Sequence, residues 1–231
     1  MALIIRIDVD RPYGRQPLWR HVLSRVGSDC WFPRVEGFGY LSELRTMLRM
    51  LNQHRARAYA FFRRCTLPSA SILELMEVGG HEIGLHLEDS RSFDSFRLEL
   101  ESLKHHVNKK ISALSKHGSG GRKYGRRHYH PYEPRKYVDW AGRAGMSVLF
   151  GNLEDPSLRP LDESNTVHFY PSAFWLEPHW RNTDRYTREW LLNEAAERDV
   201  VLLVHPENVL ACPLLTRDFE YLIDRLPSRI L

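Results

Sequence analysis

The chain has 231 residues, 42% hydrophobic and 11% aromatic, which excludes a disordered polymer and predicts one domain over 1–231. No apolar run approaches the roughly 18 residues of a membrane span, and three scattered cysteines exclude a disulfide framework or a thiolate zinc site. Lys and Arg number 33 against 29 Asp and Glu, a mild formal net charge of +4. The lack of a basic apolar leader and the sparse cysteine predict a cytoplasmic protein.

Short runs rich in β-branched and aromatic residues alternate with amphipathic segments along the chain. The runs predict strands at 3–10, 58–62, 81–87, 111–115, 147–150, 167–170 and 200–204. Between them, apolar residues spaced by three and four predict helices at 40–51, 69–78, 93–109, 134–144, 183–198 and 215–226. Ser69 is the predicted N-cap of its helix, and the glycines at 79 and 80 predict where that helix ends.

This alternation of strands and helices predicts an α/β fold with a mainly parallel sheet. The run 200–204 is apolar throughout, as expected for a strand covered on both faces. A closed barrel and an open doubly wound sheet both fit the pattern. No GxGxxG or GxxxxGK[ST] motif follows the first strand, so the usual argument for a nucleotide site is absent.

Acidic and imidazole side chains follow four of the predicted strands. Asp8 and Asp10 end the first strand, and the later strands run into His86, His117 and His205. Because the carboxyl ends of parallel strands meet at one edge of the sheet, we expect these groups to converge there. Taken singly, each histidine also fits a structural role as a hydrogen-bonded core residue, and each aspartate also fits a position in a turn.

Asp8 and Asp10 lie two residues apart and therefore point to the same side of the strand. Two carboxylates on one side repel each other unless a cation lies beside them. Aspartate with histidine and no cysteine suits a borderline divalent metal, with Zn²⁺ expected first and Fe²⁺, Co²⁺, Ni²⁺ or Mn²⁺ as alternatives.

Several segments resemble the polysaccharide deacetylase family (carbohydrate esterase family 4, the chitooligosaccharide deacetylase homology domain). The similar segments are 6–10, 59–62, 80–86, 132–146 and 202–205, and 80–86, Gly-His-Glu-Ile-Gly-Leu-His, is the most specific of them. The resemblance implies a (β/α)7 barrel, a distorted TIM-like barrel of mainly parallel strands. It also implies metal-dependent removal of N- or O-acetyl groups from sugars.

Position by position, the resemblance implies that Asp8 is the general base and His205 the general acid. It implies that Asp10 and His86 are metal ligands. The sequence departs from the family at Ser90, which stands where the family has a further histidine.

A serine is a poor ligand, so either His117 or Glu88 is expected to complete the metal site. The family's Arg-x-Pro-x-Gly motif is also missing, and 116–118 occupies roughly its place. The predicted substrate-binding residues are Glu88, Lys116, Trp175 and His179, of which Trp175 equally fits a core position.

Three functions remain open at this point. The first is a metal-dependent hydrolase that removes an acyl group from an amino sugar or polysaccharide intermediate. The second is a non-catalytic barrel that binds a glycan or a protein, which Ser90 favours. The third is a phosphate- or nucleic-acid-directed protein, motivated by the basic segment 122–127 and a pI near 9, although that segment also fits a solvated loop.

Overall fold

The computed structural model of the protein describes residues 1–10, 18–19, 22, 40–118, 120–156, 161–164, 167–177 and 185–231. Within these residues the strands are β1 (Leu3–Val9), β2 (Ala58–Phe62), β3 (Glu82–Leu87), β4 (Ala113–Lys116), β5 (Val148–Leu153), β6 (Leu161–Ser164), β7 (Val167–Ser172), β8 (Phe174–Trp175) and β9 (Val200–Val204). The helices are α1 (Tyr40–Gln53), α2 (Ala70–Gly79), α3 (Phe93–Val107), α4 (Pro134–Arg143), α5 (Arg188–Glu197), α6 (Pro206–Leu210) and α7 (Pro213–Arg225).

All of the strands belong to one sheet, in the order β6-β7-β5-β4-β3-β2-β1-β9-β8. The eight strands from β7 to β8 in that order run parallel and form a nearly closed barrel with helices between them, while β6 pairs antiparallel with β7. The predicted distorted barrel of mainly parallel strands is therefore confirmed, and the open doubly wound sheet is not what forms.

The seven predicted strands correspond to β1, β2, β3, β4, β5, β7 and β9. Two strands were not predicted: β6, whose sequence Leu-Asp-Glu-Ser lacks the β-branched and aromatic residues typical of strands, and β8, which has only two residues. The sequence analysis also missed α6, a five-residue helix that begins directly after His205.

Helix ends follow local chemistry with two departures from expectation. Gly80 ends α2 in the left-handed conformation with φ of 63°, as predicted. Ser69 occupies the N-cap position of α2, but its side chain makes no capping hydrogen bond. Helix α5 begins at Arg188, five residues after the predicted start at 183, and the Thr187 side chain accepts a hydrogen bond from the Trp190 backbone N–H.

The strands bury two separate apolar surfaces. On β1, Ile5, Ile7 and Val9 join the large cluster formed with the helices. Ile4 belongs instead to a second cluster with Phe61, Phe150 and other alternate strand residues, which fills the interior of the barrel. The inward side chains are therefore apolar at the amino ends of the strands, and the polar residues that follow them in register lie at the carboxyl ends.

No helix among the described residues combines the length and the apolar composition needed to cross a membrane.

Candidate active site

β1 and the residue that follows it carry the inward row Ile4, Arg6, Asp8 and Asp10. All four are buried, and all except Ile4 are charged. Two histidines at the carboxyl ends of β3 and β4, farther along the sheet, join this polar group. His86 is the second-last residue of β3, and His117 directly follows the last residue of β4, Lys116. The parallel register pairs His86 with Ser115, which sets the height of His117 relative to His86.

Asp10, His86 and His117 bring one ligand atom each to a common point, with those atoms within 4.8 Å of one another. His117 Nδ1 lies 3.1 Å from Asp10 Oδ1 and 3.2 Å from His86 Nε2, and His86 Nε2 lies 3.6 Å from Asp10 Oδ1. Two ligands about 2.1 Å from a tetrahedral zinc ion are about 3.4 Å apart. The three separations match this edge length, so the residues fit a metal ion held by three protein ligands.

The rest of the donor set also suits a metal. His86 Nδ1 lies 2.7 Å from the Ser115 hydroxyl, the kind of second contact that fixes the ring of a metal-binding histidine. Burial, together with the positive charge of Arg63, lowers the pKa of His117 to about 3. His117 is therefore neutral near pH 7, the state in which imidazole binds a metal.

Asp8 lies beside this triad and is held by Arg6. The guanidinium makes two hydrogen bonds to the carboxylate, Nε to Oδ1 at 2.8 Å and Nη2 to Oδ2 at 2.6 Å. Asp8 Oδ2 is also 3.6 Å from His86 Nε2. Burial alone would raise the pKa of Asp8, but Arg6 and His86 outweigh it and hold the pKa below its usual value. The carboxylate is thus ionised and able to accept a proton.

Arg6 is itself fixed from the opposite side of the barrel. Its Nη1 donates to the Gly151 carbonyl oxygen at 2.7 Å, and its Nη2 donates to Asn152 Oδ1 at 2.9 Å. Asn152 Nδ2 in turn donates to the Gly118 carbonyl oxygen at 3.1 Å. Since four fixed acceptors orient the guanidinium, its two bonds to Asp8 have little freedom to rearrange.

His205 follows β9 and is paired with a buried glutamate, Glu177. His205 Nδ1 lies 2.9 Å from Glu177 Oε1, and Asn208 Nδ2 donates to the same oxygen at 3.2 Å. Burial alone would lower the pKa of His205, but the Glu177 carboxylate outweighs it and raises the pKa to about 9. The imidazole is therefore protonated at neutral pH and can donate a proton. The Trp175 ring lies 5.6 Å from the His205 ring, so Trp175 stands at the edge of this group.

A second buried arginine, Arg63, lies between Asp10 and Glu88. Its Nη1 is 3.4 Å from Asp10 Oδ1, and its Nη2 is 2.5 Å from Glu88 Oε1. Glu88 is therefore engaged by a cation outside the triad, and His117 rather than Glu88 completes the cluster that could hold a metal.

The remaining predicted site residues occupy other positions. Ser90 is buried, and its hydroxyl lies 3.2 Å from the Tyr137 hydroxyl. Lys116, the last residue of β4, lies between Ser115 and His117, so alternation directs its side chain away from theirs, and its ammonium group donates to the His117 carbonyl oxygen at 2.6 Å. The structure therefore does not bring Lys116 into the cluster, and His179 lies outside the described residues.

Three charged residues of the site escaped the sequence analysis: Arg6, Arg63 and Glu177. Arg6 stands two positions before Asp8, and Arg63 stands two positions after the inward Phe61, so strand alternation could have placed both inside the barrel. Glu177 follows β8, which is too short to recognise, and no local pattern marks it.

No family model and no curated protein matches the chain. Among solved structures, it is similar to the polysaccharide deacetylase Bc1974 from Bacillus cereus at 12% identity, with a TM-score of 0.48 and coverage of 99% of this chain and 92% of that one. It is also similar to a mutant CE4 family pseudoenzyme with restored activity, at 12% identity, a TM-score of 0.45 and coverage of 99% and 69%. A family 4 acetyl xylan esterase from Clostridium thermocellum, solved with a cobalt ion, is similar at 14% identity, a TM-score of 0.42 and coverage of 88% and 73%.

Proposed function

We propose that the chain is a metal-dependent hydrolase that removes an acetyl group from an amino sugar or polysaccharide, as a divergent polysaccharide deacetylase. The single observation that carries the proposal is the cluster of Asp10, His86 and His117, whose ligand atoms lie 3.1 to 3.6 Å apart. Asp8 and His205 stand beside it in the protonation states that a base and an acid need. The sequence motifs at 6–10, 80–86 and 202–205 support the same reading.

The residues of the chain divide the work of hydrolysis between them. A divalent metal, Zn²⁺ first among the candidates, would polarise the acyl carbonyl and lower the pKa of a water molecule. Asp8 accepts the proton that this water loses as its oxygen bonds to the acyl carbon. Protonated His205 then gives its proton to the leaving nitrogen or oxygen as the acyl bond breaks, so that a carboxylic acid and a free amine or hydroxyl are released. Arg6 and Glu177 keep the base ionised and the acid protonated.

Calorimetric titration with Zn²⁺ tests the ligand assignment. We expect wild type to bind one equivalent, and we expect Asp10→Ala, His86→Ala and His117→Ala each to weaken binding by about 10-fold or more, since each removes one of three ligands. His105→Ala is the matched control, because His105 is exposed on α3. Full zinc affinity in Asp10→Ala would overturn the assignment.

A second candidate is a glycan- or protein-binding barrel without catalysis. The observation that favours it is Arg63, a buried cation 3.4 Å from Asp10 Oδ1 that competes electrostatically with a metal ion. Acetate release from acetylated chitooligosaccharides and acetylated xylan separates the two candidates. A folded chain that binds no zinc and releases no acetate favours the binding barrel. The cytoplasmic location stays a prediction from the sequence.

A further inference from the structure

The segment between β4 and α4 carries a dense group of cations. Four of them, Arg122, Lys123, Arg126 and Arg127, are all exposed, and we call the stretch 122–127 the basic loop. The chain contains no Asp or Glu from 118 to 132, so no acidic neighbour in sequence offsets this charge. A solvated loop without a binding role could lie anywhere on the surface. The position of the basic loop beside the proposed metal site is what indicates a binding role.

The basic loop is anchored on the metal-binding triad. The rings of Tyr124 and His128 lie 5.4 and 5.1 Å from the ring of His117 and 5.3 Å from each other. His128 Nε2 is 2.8 Å from the His117 carbonyl oxygen, and the Tyr124 backbone N–H donates to His128 Nδ1 at 3.1 Å. The Tyr129 backbone N–H reaches the Glu88 carbonyl oxygen at 3.1 Å.

Gly118 permits this close approach. It has a φ of 72°, and a β-carbon at this position would come within 2.9 Å of the Tyr124 ring. The half-exposed Tyr124 therefore lies at the rim of the site, and its sequence neighbour Lys123 and the other three cations lie within three residues of it. At about 3.5 Å per residue they lie within about 11 Å of Tyr124 along the backbone.

The positive rim extends beyond the loop. Partial burial and the charge of Arg127 both lower the pKa of Arg64, a further cation that follows β2. Glu88, an acidic group of the site wall, is already bound by Arg63. A rim with this balance of charge attracts anions toward the triad and slows the approach of cations.

We propose that the substrate is an anionic glycan, in which carboxylate or sulfate groups flank the acetylated position and are bound by Arg122, Lys123, Arg126 and Arg127. This inference rests on the proposed function, since it names the substrate class of the same site. Arginine suits the role because its planar guanidinium binds a carboxylate or sulfate through two parallel hydrogen bonds. The Tyr124 ring offers an apolar face for a sugar ring between those contacts.

The test is a binding measurement that requires neither metal nor turnover. Fluorescence anisotropy compares a labelled oligogalacturonate with a neutral xylooligosaccharide of equal length, from 20 to 200 mM NaCl. We expect wild type to prefer the oligogalacturonate, with affinity that falls steeply as salt rises. The variant R122Q/K123Q/R126Q/R127Q should bind it about tenfold more weakly or worse, because four exposed ion pairs of modest strength are lost together.

The matched control is R97Q/K104Q/K109Q/K110Q, which removes four positive charges from α3 and the residues that follow it. It changes the net charge equally and should bind the oligogalacturonate like wild type. Circular dichroism verifies that both variants are folded. Wild type that binds both glycans equally or neither of them, or equal losses in the two variants, would overturn the proposal.

Tighter binding of a poly(U) RNA of matched charge would overturn the assignment to a glycan. Zinc titration and acetate release report separately on the proposed hydrolase. An active, zinc-binding protein without anionic preference would therefore refute this inference alone.

Discussion

Replacing Glu177 by Gln should lower the pKa of His205, so that the imidazole loses its positive charge near neutral pH, while the hydrogen bond between the two side chains remains. The amide oxygen of Gln still accepts from His205 Nδ1, so the variant removes a charge and little else. Both side chains are buried, and the two atoms are 2.9 Å apart. With roughly 4 Å between charge centres and an effective dielectric constant near 20, the lost attraction is about 4 kcal/mol.

At about 1.36 kcal/mol for each pKa step, this energy lowers the pKa of His205 by about three. The pKa should therefore fall from about 9 in wild type to about 6 in Glu177→Gln. Protonated His205 would then be lost above about pH 6, and acetate release that depends on it would decline from there instead of from about pH 9.

Histidine NMR titration measures this pKa directly, with the His205 signal assigned by its disappearance in His205→Gln. Asn208→Ala is the control, because it removes one hydrogen bond to Glu177 but keeps the carboxylate. A His205 pKa that moves by less than one in Glu177→Gln would refute the reasoning that this carboxylate holds the proton.

The same pair predicts a dependence of stability on pH. The pKa of His205 in the folded protein lies above its ordinary value of 6.5, so the folded state binds the proton more tightly than the unfolded state does. The stabilisation is fully present below about pH 6.5 and is lost as pH rises through about 9. The wild-type free energy of unfolding should fall across this window, and that of Glu177→Gln should change less. Urea denaturation of both proteins at several pH values measures this. A free energy that changed with pH by the same amount in both proteins would contradict it.

Three further changes test the site and its support. Asp8→Asn should keep zinc affinity and lower acetate release by about 10² to 10⁴, and undiminished turnover would remove Asp8 from the role of base. Arg6→Met leaves Asp8 buried without its ion pair and should lower the free energy of unfolding by about 3 to 5 kcal/mol, read from urea denaturation; a loss below about 1 kcal/mol would speak against a structural role for the pair. Gly84→Ala places a β-carbon 2.2 Å from the Phe61 ring inside the barrel and should cost about 1 to 3 kcal/mol, so an unchanged denaturation midpoint would show that the ring moves freely.

Strand alternation explains why much of the site was predictable. Asp8 on β1 and Asp10 directly after it share a side because they are two residues apart, and the parallel strands bring His86 and His117 to the same edge. These rules are local or topological and depend only on residue spacing and strand direction. The family resemblance implied Asp10 and His86 as metal ligands, with His117 or Glu88 to complete the set, and the structure brings Asp10, His86 and His117 together.

The sequence could not say whether Glu88 or His117 would complete that cluster. Both follow inward positions at the carboxyl ends of their strands. The difference arises from Arg63, whose guanidinium reaches Glu88 from β2 across a parallel pair of strands. The acceptor that a long side chain binds depends on strand register and on the distances between strands. The sequence of one strand by itself reveals neither quantity.

Residue spacing along the chain thus predicted the strands, which of their side chains face the same way, and the edge of the sheet at which the acids and histidines gather. Tertiary structure alone decided their distant partners: the Gly151 carbonyl for Arg6 across the barrel, and Glu177 for His205. Periodicity is a property of neighbouring residues and can be read from them. Contacts between groups more than twenty residues apart, such as Glu177 and His205, depend on where the closed sheet places the two groups. That placement is set by the packing of the whole barrel.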